Sequence, residues 1–170
     1  DPALAGGESE AEALAHEDDL IDWEVANPDR LARLRHLFDR ASPDERRRIA
    51  APDHVSDDEL VVHALHDALH AHFASEGMHG WHEWPAEYRR PDSASAKAFA
   101  AEHPAEIAFY GWLQGLANHS LLTAHRAAQG AGMACGIITD LAVGVDPGGA
   151  DCWTRPEAFL EGLSVGAPPD

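Results

Sequence analysis

Apolar residues recur along this chain in two rhythms, and the change from one to the other marks its most informative stretch. From Pro28, Leu31, Leu34 and Leu37–Phe38 follow at three- and four-residue steps, with Arg30, Arg33 and Arg40 on other faces, which predicts a helix. Ser42–Pro43 caps a short basic helix, DERRRIA, that ends near Pro52. Ser56 opens a stronger one: Asp57, Asp58 and Glu59 favour the positive end of its dipole, and Glu59 completes a capping box. Val62, Leu65, Leu69 and Phe73 form its core stripe, and Gly77 ends it. An aromatic turn, Gly80–Pro85, leads to a short piece around Tyr88, and Asp92 or Ser93 caps a further short helix through Ala101. Pro104 suits the first position of a long helix to about Ala128. Its apolar residues, from Ile107 to Leu122, spread around the circumference, which predicts burial on most sides. Gly111 and Gly115 each cost this helix about 1 kcal/mol against Ala, a loss that close packing would offset.

The rhythm changes at Gly130. Met133 to Ile138 is almost uninterruptedly apolar and ends on Thr139 and Asp140, after which a Gly/Pro/Asp loop runs to Trp153. A short apolar run bounded by turn residues predicts residues 133–139 as a parallel strand buried on both faces. Asp140 then stands at the carboxyl end of that strand, where α/β folds place their working groups; the plainer reading is an Asp that only hydrogen-bonds its own loop. The expected fold class is α/β, with residues 1–19 a flexible lead-in, 20–102 a helical insertion, and 103–170 the long helix, the strand and the loops after it. A last helical turn is expected from Pro156 to Leu160.

Charge narrows the function classes. The 170 residues carry 12 Lys+Arg against 30 Asp+Glu, a formal net charge of -18. Nucleic acid and anionic membrane surfaces both call for a positive face, so neither is an expected partner, whereas a neutral ligand such as a sugar is compatible. No apolar run approaches the ~20 residues of a bilayer span, and no signal peptide is evident. Cys135 and Cys152 make no disulfide framework and read as free thiols in a reducing cytosol. The first and last residues suggest a segment of a longer protein.

Candidate chemistry is sparse. His63, His66 and His70 share a flank of one helix a turn after Glu59, but HxxHxxxH is not a metalloprotease pattern, and histidines at the border of an apolar stripe are common. Trp81, Trp84 and Tyr88 read either as a sugar-stacking platform or, in preference, as a small core. The loop Asp146 to Asp151 lacks the spacing of a calcium loop and the Lys of a phosphate loop. No nucleophile–base arrangement stands out.

Five stretches together resemble the 4-alpha-glucanotransferases (amylomaltases or disproportionating enzymes, glycoside hydrolase family 77): ALHDALHAHF at 64–73, GWHEWPAEYRRPDS at 80–93, FYGWLQGLA at 109–117, GMACGIITDLAVGVDPGGADCW at 132–153 and SVGAPPD at 164–170. They keep the family's order and cover most of residues 58–170. The resemblance implies a segment of a (β/α)8 TIM barrel with helical insertions, in a cytoplasmic enzyme. That enzyme moves α-1,4-glucan units between maltooligosaccharides through a covalent glycosyl-enzyme intermediate, without a redox or nucleotide cofactor. Asp140 falls at the family's third-strand Asp on the sugar-binding face, and Asp170 at the acid of a loop beside the acceptor subsites; both are expected to bind substrate. The nucleophile, the acid/base and the third carboxylate of the family lie beyond residue 170, so no catalytic residue carries over and the segment alone is expected to be inactive. Thr139, Gly111 and Gly115 depart from the family's usual residues. The alternative is a stand-alone acidic helical module that binds a partner, or a metal through His63, His66 and His70.

Overall fold

Helices make up the regular structure of the computed structural model, which describes residues 21–50, 57–140, 144–160 and 163. The chain divides into two compact units, 1–41 and 42–170. The first contributes one described helix, α1 (Trp23–Arg40). It starts five residues before Pro28, because Asp22 supplies the cap: its carboxylate accepts the Val25 N–H at 3.4 Å and its carbonyl accepts that of Ala26. Pro28 lies inside the helix and gives up one backbone bond without opening it.

The second unit holds α2 (Pro43–Ala50), α3 (Asp57–Ala74), α4 (Ala94–Glu102), α5 (Pro104–Gly130) and α6 (Ala150–Thr154), with 3-10 turns at Ala86–Tyr88 and Pro156–Ala158. Each start has a chemical cause. Ser42 and Glu45 form a reciprocal capping box: Glu45 Oε2 accepts the Ser42 N–H at 2.8 Å and Ser42 Oγ that of Glu45 at 3.3 Å. At α4 it is Ser93, not Asp92, that caps, its Oγ accepting the Ala96 N–H at 3.1 Å. Two helix ends use the same device. After α3, Gly77 takes φ +84° so that Met78 N–H reaches the Phe73 carbonyl; after α5, Gly132 takes φ +92° and Met133 N–H reaches Ala128. Ser56 and residues 1–19 and 164–170, which include Asp170, lie outside the described residues.

The core of this unit is α3 against α5, closed by α2, α6 and the aromatic turn. Leu65, Leu69 and Phe73 of α3 face inward, as does Phe109 of α5. Gly111 sits where an added Cβ would meet the Ala64 Cβ at 4.0 Å, so α3 and α5 pass close together there. Burial of α5 is confined to its first half; from Leu116 onward its residues are half-buried or exposed. Trp84 and Trp153, both fully buried, meet edge to face with ring centroids 6.0 Å apart. Trp84 also lies 5.4 Å from Phe73, so it is core rather than a sugar platform.

The expected strand is not formed. No strand occurs among the described residues, and they therefore do not build an α/β barrel segment. Residues 133–140 instead follow α5 as irregular backbone, with Met133, Ile137 and Ile138 exposed. A strand needs neighbouring backbone for its N–H and C=O groups. Here the Ile137 N–H goes to His125 Nδ1 at 3.2 Å, and Gly136 is left-handed at φ +70°. The run is apolar but, Gly136 apart, exposed, so the expected burial is not found either, and nothing among the described residues pairs with it.

Candidate functional site

Three helical faces enclose a groove large enough to hold a ligand. Gln114, Ala117, Asn118 and Leu121 recur at i, i+3, i+4 and i+7 and so share one stripe of α5. Asp58, Glu59, Val62 and His63, at i, i+1, i+4 and i+5, share a face of the first turns of α3, and Asp151, Thr154 and Arg155 line up at the end of α6. Together with Leu60 they bound a cavity of about 660 Å³. The size is that of a small-molecule site.

Long-range contacts hold these faces in register. Arg155 Nη2 donates to Glu59 Oε1 at 2.5 Å across the groove, joining α6 to α3. Trp153 Nε1 donates to the Tyr88 carbonyl at 2.9 Å. The loop before α6 is clamped by the aromatic turn: Trp81 Nε1 and His82 Nε2 both donate to the Pro147 carbonyl, at 2.8 and 3.0 Å. Asp146 Oδ1 accepts the Gly148 N–H at 2.9 Å, and Gly80 and Gly148 lie so close that an added Cβ would sit 3.6–3.7 Å from the other's Cα. The loop is thus a tight Asx turn.

At the groove floor a chain of polar side chains runs inward. Gln114 Nε2 lies 3.0 Å from His63 Nε2, which is 3.5 Å from Asp67 Oδ2, and Asp67 Oδ1 is 3.2 Å from His66 Nδ1. The hydrogen bond with Asp67 raises the His63 pKa against the opposing effect of burial, and the charges of Asp67 and Asp151 add to it. Burial alone would raise Asp67, but hydrogen bonds and charge from His63 and His66 outweigh it and leave the carboxyl at about 2. With His66 Nδ1 donating to Asp67, its Nε2 is left buried, against Trp84 and Trp153 at 5.5 and 5.6 Å, with no hydrogen bond among the described residues.

The residues singled out from the sequence fare differently. His63, His66 and His70 do lie together on α3, yet the His66 and His70 rings stack in parallel at 6.0 Å, and no group of three ligands that could hold a metal ion occurs among the described residues. Asp140 is exposed at the end of the irregular segment and does not line the groove. Cys135 is exposed and Cys152 buried, both free thiols. Sequence reasoning missed the groove. The polar stripe at Gln114 and Asn118 was legible as helical spacing, but the pairing of Arg155 with Glu59, 96 residues away, had no local signal.

Comparison with known proteins covers nearly the whole chain. The family model described as 4-alpha-glucanotransferase matches residues 4–170. A 4-alpha-glucanotransferase of Haemophilus influenzae is 34% identical over 93% of this chain and 24% of its own length. One from Mycobacterium tuberculosis is 42% identical over 53% of this chain and 12% of its own length. The chain thus spans at most about a quarter of these curated relatives. The match over residues 4–170 places the chain in the 4-alpha-glucanotransferase family.

Proposed function

We propose that this chain works as part of a 4-alpha-glucanotransferase that moves α-1,4-glucan segments between maltooligosaccharides by a retaining double displacement. The observation that carries the reading is the family match over residues 4–170. A retaining mechanism uses two carboxyl groups about 5–5.5 Å apart, one of them a general acid whose pKa is raised. The carboxyl groups whose pKa is displaced here, Glu45, Asp67 and Asp92, are all displaced downward. Glu59 in the groove is committed to Arg155. We therefore assign the chemical step to carboxylates other than these four. Asp140 and Asp170 serve as acceptors for glucan hydroxyls, and the enzyme works in the cytoplasm on neutral glucans.

Maltotriose disproportionation tests this. The 170-residue chain should release no glucose above blank, whereas a polypeptide carrying it within the full length of the relatives should yield glucose and longer maltooligosaccharides. A full-length form without transfer would sink the reading. Glucose from the short chain would show that its own acids form a site.

A further inference from the structure

We propose that the groove between α3, α5 and α6 is a binding site for a neutral oligosaccharide, separate from the Asp140 segment. The proposal rests on the glucan-acting reading above for its substrate class and on the groove itself for its place. Part of the lining is already fixed: His63 is held by Asp67 and Glu59 by Arg155. Such groups have already lost their side-chain freedom and bind at reduced entropic cost. Asp58, Asn118 and Asp151 make no side-chain hydrogen bond or ion pair among the described residues, so acceptors and an amide donor stand open beside that frame. Val62, Ala117 and Leu121 add an apolar strip along the wall. A row of planar polar groups beside a narrow apolar strip matches a sugar, which offers hydroxyls at its rim and C–H groups on its faces.

Charge selects among ligands. Three carboxylates line the groove against Arg155 and His63, which disfavours phosphorylated or otherwise anionic ligands. A small polycation is the competing occupant, and ionic strength separates the two, since screening weakens binding of a polycation but hardly that of a neutral sugar.

The test is a titration of the isotopically labelled 170-residue chain, followed by the side-chain amide signals of Gln114 and Asn118. Maltotriose should move both signals saturably, with an affinity that holds when salt is raised several-fold. Asn118→Leu should weaken binding by about 2- to 13-fold, the range that one neutral hydrogen bond of about 0.5–1.5 kcal/mol represents. Its thermal midpoint should stay near that of the parent, since the Asn118 side chain makes no hydrogen bond among the described residues. Asn118→Ala, which adds no bulk, should weaken binding alike. Absence of groove shifts at the highest soluble maltotriose overturns the proposal, as do shifts confined to residues near Asp140, or salt-sensitive shifts with spermidine alone. A full-length form that transfers glucose while the groove binds no maltotriose would overturn the groove site and leave the transferase reading standing.

Discussion

Asp67 concentrates the electrostatics of this chain in one side chain. Its carboxyl titrates at about 2 rather than 3.8 in the folded state, so it contributes stability above pH 3.8 that is lost as pH falls toward 2. The shift corresponds to roughly 2 kcal/mol, read as an order of magnitude. His63 runs the other way: with its folded pKa raised, it stabilises fully below its ordinary 6.5 and ceases to as pH rises through the higher value. Unfolding midpoints measured across pH should therefore fall at both edges of this window, and Asp67→Asn should flatten both edges. A variant that kept both edges would remove Asp67 as their source. Asp140 makes a separate prediction at this scale. As an acceptor for glucan hydroxyls in the full-length enzyme, it offers charged hydrogen bonds of about 1.5–3 kcal/mol. Asp140→Asn should lower kcat/KM by roughly 10- to 150-fold. No change would leave Asp140 with only a loop to cap; a million-fold loss with folding intact would make it part of the chemistry.

At the scale of elements, caps and glycines were the most legible features. Ser42, Ser93, Pro104 and Gly77 each sit where their chemistry predicts, because a helix end is decided by three or four residues that the sequence prints side by side. The run at 133–139 failed as a strand for the opposite reason: pairing is decided by backbone elsewhere, and none of the described residues supplies it. The groove was hidden in the same way, since its stripes on α3 and α5 are readable singly but their meeting is not. Gly111 tests the packing of those two helices. An added methyl would touch the Ala64 Cβ at ordinary van der Waals distance, and Ala exceeds Gly in helix propensity by about 1 kcal/mol. Gly111→Ala should hold or raise the thermal midpoint, while Gly111→Leu should lower it by overpacking. Equal losses for both would mean that the helices have no such spare space.

Over the molecule as a whole, the second unit is held by contacts between stretches far apart in sequence. The aromatic turn at 80–88 and the loop and helix at 146–154 meet through Trp81, His82 and Trp153, each donating to a backbone carbonyl 65 or 66 residues away. The composition of that turn suggested a local core, and Trp84 is one; its clamping of a distant loop had no sequence signature. Trp81→Phe keeps the ring and deletes one donor, so it should cost about 1 kcal/mol in denaturant unfolding. An unchanged midpoint would show His82 alone sufficient for Pro147.

The burial of Cys152 makes α6 accessible to kinetics. Its thiol lies within that helix, one residue from the Trp153 anchor, while Cys135 stands in the open on the irregular segment. A thiol reagent meets Cys135 at once, but Cys152 only in the moments when α6 lifts away from α3. The ratio of the two labelling rates is thus a clock for that detachment. A ratio of about 100 corresponds to roughly 2.8 kcal/mol of local opening. A saccharide that bridges the groove would slow the second thiol and leave the first untouched, so the same two cysteines would register occupancy without any enzymatic turnover.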